Sequence, residues 1–203
     1  MNIDVPSSID FHKDSSARQW AKESMIKRPY RQIIFQSIAE EIKAAQCNTV
    51  LELGSGPGFL AKAIIKASPN IVYTALDSSK AMHQLAEVHL GKEASHIHFS
   101  NASFLEPDWF EGLGVYKAIV TVQSVHEVRH KSKVEKLFKQ IRCCIETGGM
   151  FLYCDHVCDQ AGIQNDQLFM SEEEQAFVLN KTFVSVDRVC RHGTLALWRA
   201  ICD

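Results

Sequence analysis

A chain of 203 residues is long enough for one α/β domain with a full core and too short for two large ones. An apolar content of 46% excludes a disordered chain, and a net charge of −2 without a basic stripe argues against bulk electrostatic binding to nucleic acid or an anionic membrane. Seven irregularly spaced cysteines, a polar stretch from Met1 to Asp14 and no apolar run of membrane-spanning length predict a cytoplasmic protein with reduced thiols.

Ser15 to Lys27 reads as a short helix, and Pro29 discourages helical geometry at Arg28. A second helix is expected from Tyr30 to Ala45, with Ile34, Ile38 and Ile42 on one buried stripe. Thr49–Leu53 reads as a buried strand, followed by a glycine-rich turn and a helix over Phe59–Ala67. Next come strand Ile71–Leu76, helix Lys80–Leu90, strand Ile97–Ser100 and a short element near Trp109–Leu113. Strand Ala118–Gln123 precedes helix Lys131–Ile145, and Gly148-Gly149 turns into strand Met150–Cys154. Helix Glu172–Asn180 leads to strands Val184–Cys190 and Leu195–Ile201, with Gly193 spaced for a hairpin turn between them. Strands alternating with helices predict an α/β fold, a mostly parallel sheet with helices on both faces, and the final hairpin makes the last strand antiparallel. No repeat, low-complexity tract or linker interrupts the chain.

The turn Gly54-Ser55-Gly56-Pro57-Gly58 hands a strand to a helix N-terminus. Glycines let such a turn take φ > 0 and come close to a ligand. Glu52 precedes the turn, and Asp77 ends the next apolar run, where an acid suits ribose hydroxyls. A dinucleotide site wants G-x-G-x-x-G, but the third glycine comes one residue early and Phe59 stands in its place. No G-K-[ST] phosphate loop is present. Cys154, His156 and Cys158 share strand parity and are soft ligands, but no fourth ligand and no C-x-x-C accompany them, so no metal is expected.

The pattern E-x-G-x-G-x-G with an acid closing the second strand resembles motif I of the class I S-adenosylmethionine (SAM) methyltransferases. The resemblance covers about residues 46–203 and implies a three-layer sandwich with a seven-stranded sheet of order 3-2-1-4-5-7-6. Lys27-Arg28-Pro29-Tyr30-Arg31, Leu51 to Gly58, Gln123 to Lys131 and Cys154-Asp155-His156 together resemble a group of small bacterial methyltransferases of unassigned substrate. By that resemblance Glu52 and Gly54 face the methionine end of SAM, with Gly56 and Gly58 in the same turn, and Asp77 takes the ribose hydroxyls. Ser78 and Met82 would flank the adenine; Asp77 can also cap a helix, and Met82 can also be core. Many relatives have an acid two residues past the third strand that pairs with the adenine amino group. Here Asn101, Ala102 and Ser103 occupy that stretch, with Ser103 in the acid's place.

Gln123 to Glu127 follow strand four and would lie beside the transferring methyl. His126 and His156 are rival general bases, each directly after a buried strand, and either can instead be a loop hydrogen-bonder. No N/D-P-P-Y/F and no Pro-Cys pair is present, which disfavours amide, adenine-amino and cytosine-C5 acceptors. Residues 1–45 are expected to form a helical lid before a domain at 46–203, with Arg28 reaching the SAM carboxylate. Those N-terminal helices and the segment Val157 to Ser171 are spare to shape a pocket for a small-molecule acceptor. The expected function is SAM-dependent methyl transfer. The alternatives are a SAM-binding sensor or partner subunit without activity and an NAD(P)-dependent oxidoreductase. Oligomeric state and acceptor atom stay open.

Overall fold

The structure, a computed structural model, describes residues 4–160 and 163–203. Residues 1–3 of the expected lid and 161–162 of the segment Val157 to Ser171 lie outside the described residues. Seven strands form one sheet: β1 (Thr49–Leu53), β2 (Val72–Leu76), β3 (Ile97–Ser100), β4 (Tyr116–Val122), β5 (Ile145–His156), β6 (Ser185–His192) and β7 (Leu195–Ile201). Their order is β3-β2-β1-β4-β5-β7-β6, as expected. β1, β2 and β3 pair in parallel, as do β4 and β5, whereas β7 runs antiparallel to both β5 and β6. The chain divides into two compact units, one of Ser8–Glu106 and one of Pro107–Asp203 together with residues 4–7.

The first unit contains β1 to β3 and four helices: α1 (Asp14–Lys27), α2 (Arg31–Ala44), α3 (Phe59–Ala67) and α4 (Lys80–Leu90). Val50, Leu51 and Leu53 of β1 are at most 1% exposed. Burial on that scale stabilises by about 1.5–3 kcal/mol per large apolar side chain. The isoleucine stripe of α2 is buried as its spacing predicts, with Ile34, Ile38 and Ile42 all at 0% exposure. α2 packs on α3, and α1 packs on α4. α1 stops at Lys27 because Pro29 forces Arg28 out of helical geometry, to φ −136° and ψ 70°.

The second unit contains β4 to β7, α5 (Val134–Cys143) and α6 (Glu172–Asn180). α6 begins with a capping box: the Ser171 hydroxyl accepts from the Glu174 amide, and the Glu174 carboxylate accepts from the Ser171 amide. Gly193 opens a two-residue turn between β6 and β7 at φ 56°.

Several boundaries differ from the sequence expectation. The helix expected over Lys131–Ile145 begins as a 3-10 turn at Lys131–Lys133 and ends at Cys143, and Ile145 already opens β5. The glycine pair therefore lies inside β5 rather than before it. A Cβ on Gly149 would stand 2.7 Å from Ile145 Cγ2 and 2.9 Å from the Lys117 carbonyl, and the register with β4 shifts between Tyr116 and Ala118. Hydrophobic spacing does not reveal such an irregularity, because it adds residues without changing side-chain chemistry. Trp109–Leu113 forms turns only; Trp109 is 6% exposed and its indole N–H donates to Gln140 Oε1 at 3.3 Å.

Candidate functional site

All three glycines of the turn after β1 have positive φ: 67° at Gly54, 52° at Gly56 and 75° at Gly58. Side chains rarely adopt that region, so the sequence choice follows from the backbone path. The turn also explains where its amides go. Gly54 and Ser55 donate to the Leu76 carbonyl at 2.8 and 3.1 Å, and Gly58 donates to the Ser55 carbonyl at 3.3 Å. The Gly56 amide donates to Asp77 Oδ2 at 2.8 Å, and Pro57 has no N–H. These four amides are engaged within the protein, so they offer no cradle to a pyrophosphate. Gly58 has a packing role besides: a Cβ there would come within 3.0 Å of Leu90 Cδ1 and 3.1 Å of Ala86 Cβ on α4.

Asp77 sits at the tip of β2 with both oxygens held, Oδ2 by the Gly56 amide and Oδ1 by the Ser79 amide at 2.8 Å. Burial raises its pKa, partly offset by those two N–H donors. The N-cap of α4 is Ser79, whose hydroxyl accepts from the Met82 amide at 3.1 Å and donates to the Phe11 carbonyl at 2.5 Å. Ser78 is exposed beside it. Met82 is 3% exposed and packs with Ala17, Ala81, Phe11 and Trp20. Across the tip, Asn101 Nδ2 donates to the Asp77 carbonyl at 3.0 Å, the Ala102 amide donates to the Ser100 carbonyl at 3.1 Å, and Ser103 Oγ accepts from the Leu105 amide at 3.2 Å.

Glu52, 3% exposed, accepts from the Tyr73 hydroxyl at 2.7 Å. Burial pushes its carboxyl up to about 8, against the Tyr73 hydrogen bond and with the help of the Asp77 charge. The positive charge of Arg31 pulls weakly the other way. The sequence pointed to Arg28, but it is Arg31 that is buried, at 4% exposure, with its guanidinium 5.2 Å from the Trp20 ring centroid and 5.3 Å from that of Phe35. Arg28 instead lines a cavity on the α1 side of the unit. Ser55 is a second residue missed from sequence: its hydroxyl is buried in the turn without a partner among the described residues.

In the second unit, Gln123 leaves β4 at φ 56°. A non-glycine residue there is strained, which is common where a side chain must be aimed. Its Nε2 donates to His156 Nε2 at 2.8 Å, while Oε1 is buried without a partner among the described residues. His156 Nδ1 lies 2.8 Å from Thr194 Oγ1, so both of its ring nitrogens are occupied. His126 differs: Nδ1 contacts Asp155 Oδ1 at 2.8 Å, and Nε2 stands 3.5 Å from Glu127 Oε1. Asp155 also accepts from the His126 amide at 3.0 Å and the His156 amide at 2.7 Å. With the proton on Nδ1 facing the carboxylate, Nε2 of His126 is the basic nitrogen. Burial lowers the His126 pKa, but the charge and hydrogen bond of Asp155, with Glu127, raise it above the ordinary value overall. The same pairing holds Asp155 below the usual carboxylate range despite burial. Phe169, which sequence reasoning did not single out, packs its ring 5.1 Å from that of His126 and 5.3 Å from that of His156. Cys154 and His156 share β5, but among the described residues no group of three or more His, Cys, Asp or Glu side chains is placed to hold a metal.

Strand order and glycine turn together define a class I methyltransferase fold. Residues 50–149 match the family described as a methyltransferase domain. No curated protein matches the chain significantly. Among solved structures, an O-methyltransferase family protein from Burkholderia thailandensis is similar with a TM-score of 0.78 at 16% identity, over 95% of this chain and 61% of that one. Human N-acetylserotonin methyltransferase, solved with SAM, gives 0.74 at 16% identity, over 98% of this chain and 60% of that one. The structure of DhpI with S-adenosylhomocysteine (SAH) gives 0.69 at 21% identity, over 93% and 94% of the two chains. At these identities the likeness is one of fold, and this chain spans about three-fifths of the first two proteins.

Proposed function

We propose that this chain is a SAM-dependent methyltransferase acting on a hydroxyl group of a small molecule. The observation that carries the reading is Asp77, pinned by the Gly56 and Ser79 amides at the tip of β2 beside a turn whose own amides are already used. That chemistry suits a ribose-bearing cofactor without phosphates and disfavours NAD(P). Asp77 would hold the ribose, and Glu52 and Ser55 the methionine end. Bound SAM supplies a methyl group already activated on a positive sulfur.

The rest is work for side chains of the protein. A hydroxyl acceptor must lose its proton, and His126 Nε2 takes it, because Asp155 fixes the ring and stabilises the imidazolium that results. His156 holds the Gln123 amide rather than a substrate proton, since neither of its nitrogens is left over. Similar structures described as O-methyltransferases support the hydroxyl acceptor. The chain works in the cytoplasm on this reading, supported by seven cysteines of which none is in a disulfide. Among the described residues no helix is long and apolar enough to cross a membrane.

Calorimetry with SAH and with NAD tests the cofactor. SAH should bind the wild-type chain and fail to bind Gly56→Val, whose branched side chain cannot follow φ 52°. Undiminished SAH binding in a folded Gly56→Val variant, or saturable binding of NAD alone, defeats the reading. Binding of SAH without release of it from SAM in the presence of any hydroxylated metabolite pool would leave a SAM-binding protein instead.

A further inference from the structure

Residues 4–6 belong to the second unit, and there they grip Arg129, just past the 3-10 turn Val125–Val128. The Val5 amide donates to the Arg129 carbonyl at 2.8 Å. The Arg129 guanidinium binds back to the same segment: Nε donates to the Val5 carbonyl and Nη2 to the Pro6 carbonyl, both at 2.8 Å. Lys133 Nζ adds an exposed ion pair with the Asp4 carboxylate at 2.6 Å, weaker than the bonds at Arg129. Through Nη1 the guanidinium also donates to Glu127 Oε2 at 3.0 Å. Arg129 takes φ 65°, a strained value for a residue with a side chain, and such strain persists only where the surroundings fix it.

This chain of bonds ends on a carboxylate beside the proposed base. Glu127 Oε1 stands 3.5 Å from His126 Nε2, while Asp155 Oδ1 holds Nδ1 at 2.8 Å. At 3.5 Å Glu127 acts on Nε2 by charge and leaves its lone pair open to a hydroxyl proton. The groups facing His126 are Asp155 and His156 from β5, Glu127 and Arg129 from its own turn, and the uncharged ring of Phe169. Burial works against a charged imidazole, Asp155 and then Glu127 work for it, and Arg129 opposes it least. A half-exposed glutamate left alone spreads over several rotamers, and water screens its charge. A planar guanidinium that holds two successive carbonyls and the carboxylate at once leaves it one position.

We propose that residues 4–6 are a positioning strap for the base: through Arg129 they hold the Glu127 carboxylate at Nε2 of His126, so that the imidazolium formed there lies between two carboxylates. On abstraction the acceptor's O–H bond breaks, its oxygen keeps the electron pair for the methyl group, and the proton goes to Nε2, where Glu127 stabilises the new charge. This rests on the methyltransferase reading above, and it gives residues 4–6 a task apart from the expected lid.

The test is a pH titration of His126 by NMR on the full chain, with its resonance assigned by loss in His126→Gln. Glu127→Gln should titrate at lower pH than wild type. So should the double variant Asp4→Ala, Val5→Pro, which removes the Lys133 pair and the Val5 N–H but no charge facing His126. Arg129→Lys keeps the charge, loses the planar fork and should move the same way. These two routes to releasing Glu127 keep the test readable if one variant does not fold. Added to Glu127→Gln, the strap substitutions should shift nothing further, because they act through that carboxylate. The acid limb of kcat/KM should follow the titration in each variant. Three results overturn the proposal: a wild-type titration in Glu127→Gln, a wild-type titration in a folded strap or Arg129→Lys variant, or a strap shift that persists in full in Glu127→Gln. If SAH is never released from SAM, the methyltransferase reading fails by itself, and the titration is still read on the protein without cofactor.

Discussion

At Nδ1 of His126 the Asp155 carboxylate stands at 2.8 Å, and it turns a buried imidazole that would resist a proton into one that accepts it readily. The base form must be free for proton abstraction, so kcat/KM should rise with pH along a limb above 6.5, the ordinary value for histidine. Asp155→Asn removes the charge and hydrogen bond that do most to raise the His126 pKa, leaving only the Glu127 charge against burial. The acid limb then moves to lower pH while the plateau falls, and a pH profile of SAH release reads both. His126→Ala should lower kcat by about 10²–10⁴-fold, with SAH affinity essentially unchanged; the same loss in His156→Ala with none in His126→Ala would exchange their roles. Glu52 makes a different prediction. Its folded pKa of about 8 lies above the unfolded carboxyl value, so the unfolded chain releases the proton first as pH rises. The stability associated with the neutral carboxyl is fully present in acid and is lost as pH climbs toward 8. Glu52→Gln should therefore melt at a higher temperature than wild type at pH 9 in the absence of ligand, and the gap should shrink toward pH 5. At pH 9, where the Glu52 carboxyl is ionised, SAM should bind the same variant more weakly than wild type, because a neutral amide cannot meet a cationic ligand.

Among the elements, α1 is the one whose expected lid role is open to a direct test. Its Ala17 and Trp20 pack against Ala81 and Met82 of α4, and Phe11 just before it is tied to Ser79. Trp20 sits next to the glycine turn. A ligand that favours the closed position of such a segment shifts the population toward it. Saturating SAH should slow hydrogen exchange over residues 15–30, and identical exchange with and without SAH would make α1 plain scaffold. The joint of α3 and α4 is less forgiving. Gly58→Ala forces a Cβ against Leu90 and Ala86 at φ 75°, and a small-to-large change in a packed site costs about 1–3 kcal/mol. Urea denaturation should show that loss as a lower midpoint with an unchanged slope.

For the whole molecule, a ligand that binds only the native chain stabilises it by mass action. SAH at a hundred times its Kd is worth about 2.7 kcal/mol, which for a chain of this length raises Tm by about 5–10 °C. NAD at the same concentration should leave Tm where it was. Acid should act through Asp155, whose folded pKa is depressed: its contribution is present at neutral pH and disappears as pH falls through that lowered value. The His126 partner contributes in the opposite sense, losing its share as pH rises through its raised pKa. The pair is therefore at its most stabilising between the two.

The sequence by itself determined the succession of strands and helices, the glycine turn and the acid at the tip of β2, because each is written in local chemistry, while the strand order came only with the resemblance to the methyltransferase family. Apolar runs of strand length alternate with helical stripes, and only glycine takes the φ values of 54, 56 and 58 without strain. Trp20, Arg28 and Arg31 stood in segments already of interest, yet their spacing did not say which arginine would be buried under the tryptophan and which left facing a cavity. The choice between His126 and His156 was equally undecided in sequence, since both follow a buried strand. Only tertiary structure gave one imidazole a carboxylate and occupied both nitrogens of the other, because hydrogen bonds between residues 29 or more positions apart depend on where folded elements end, which local pattern does not encode.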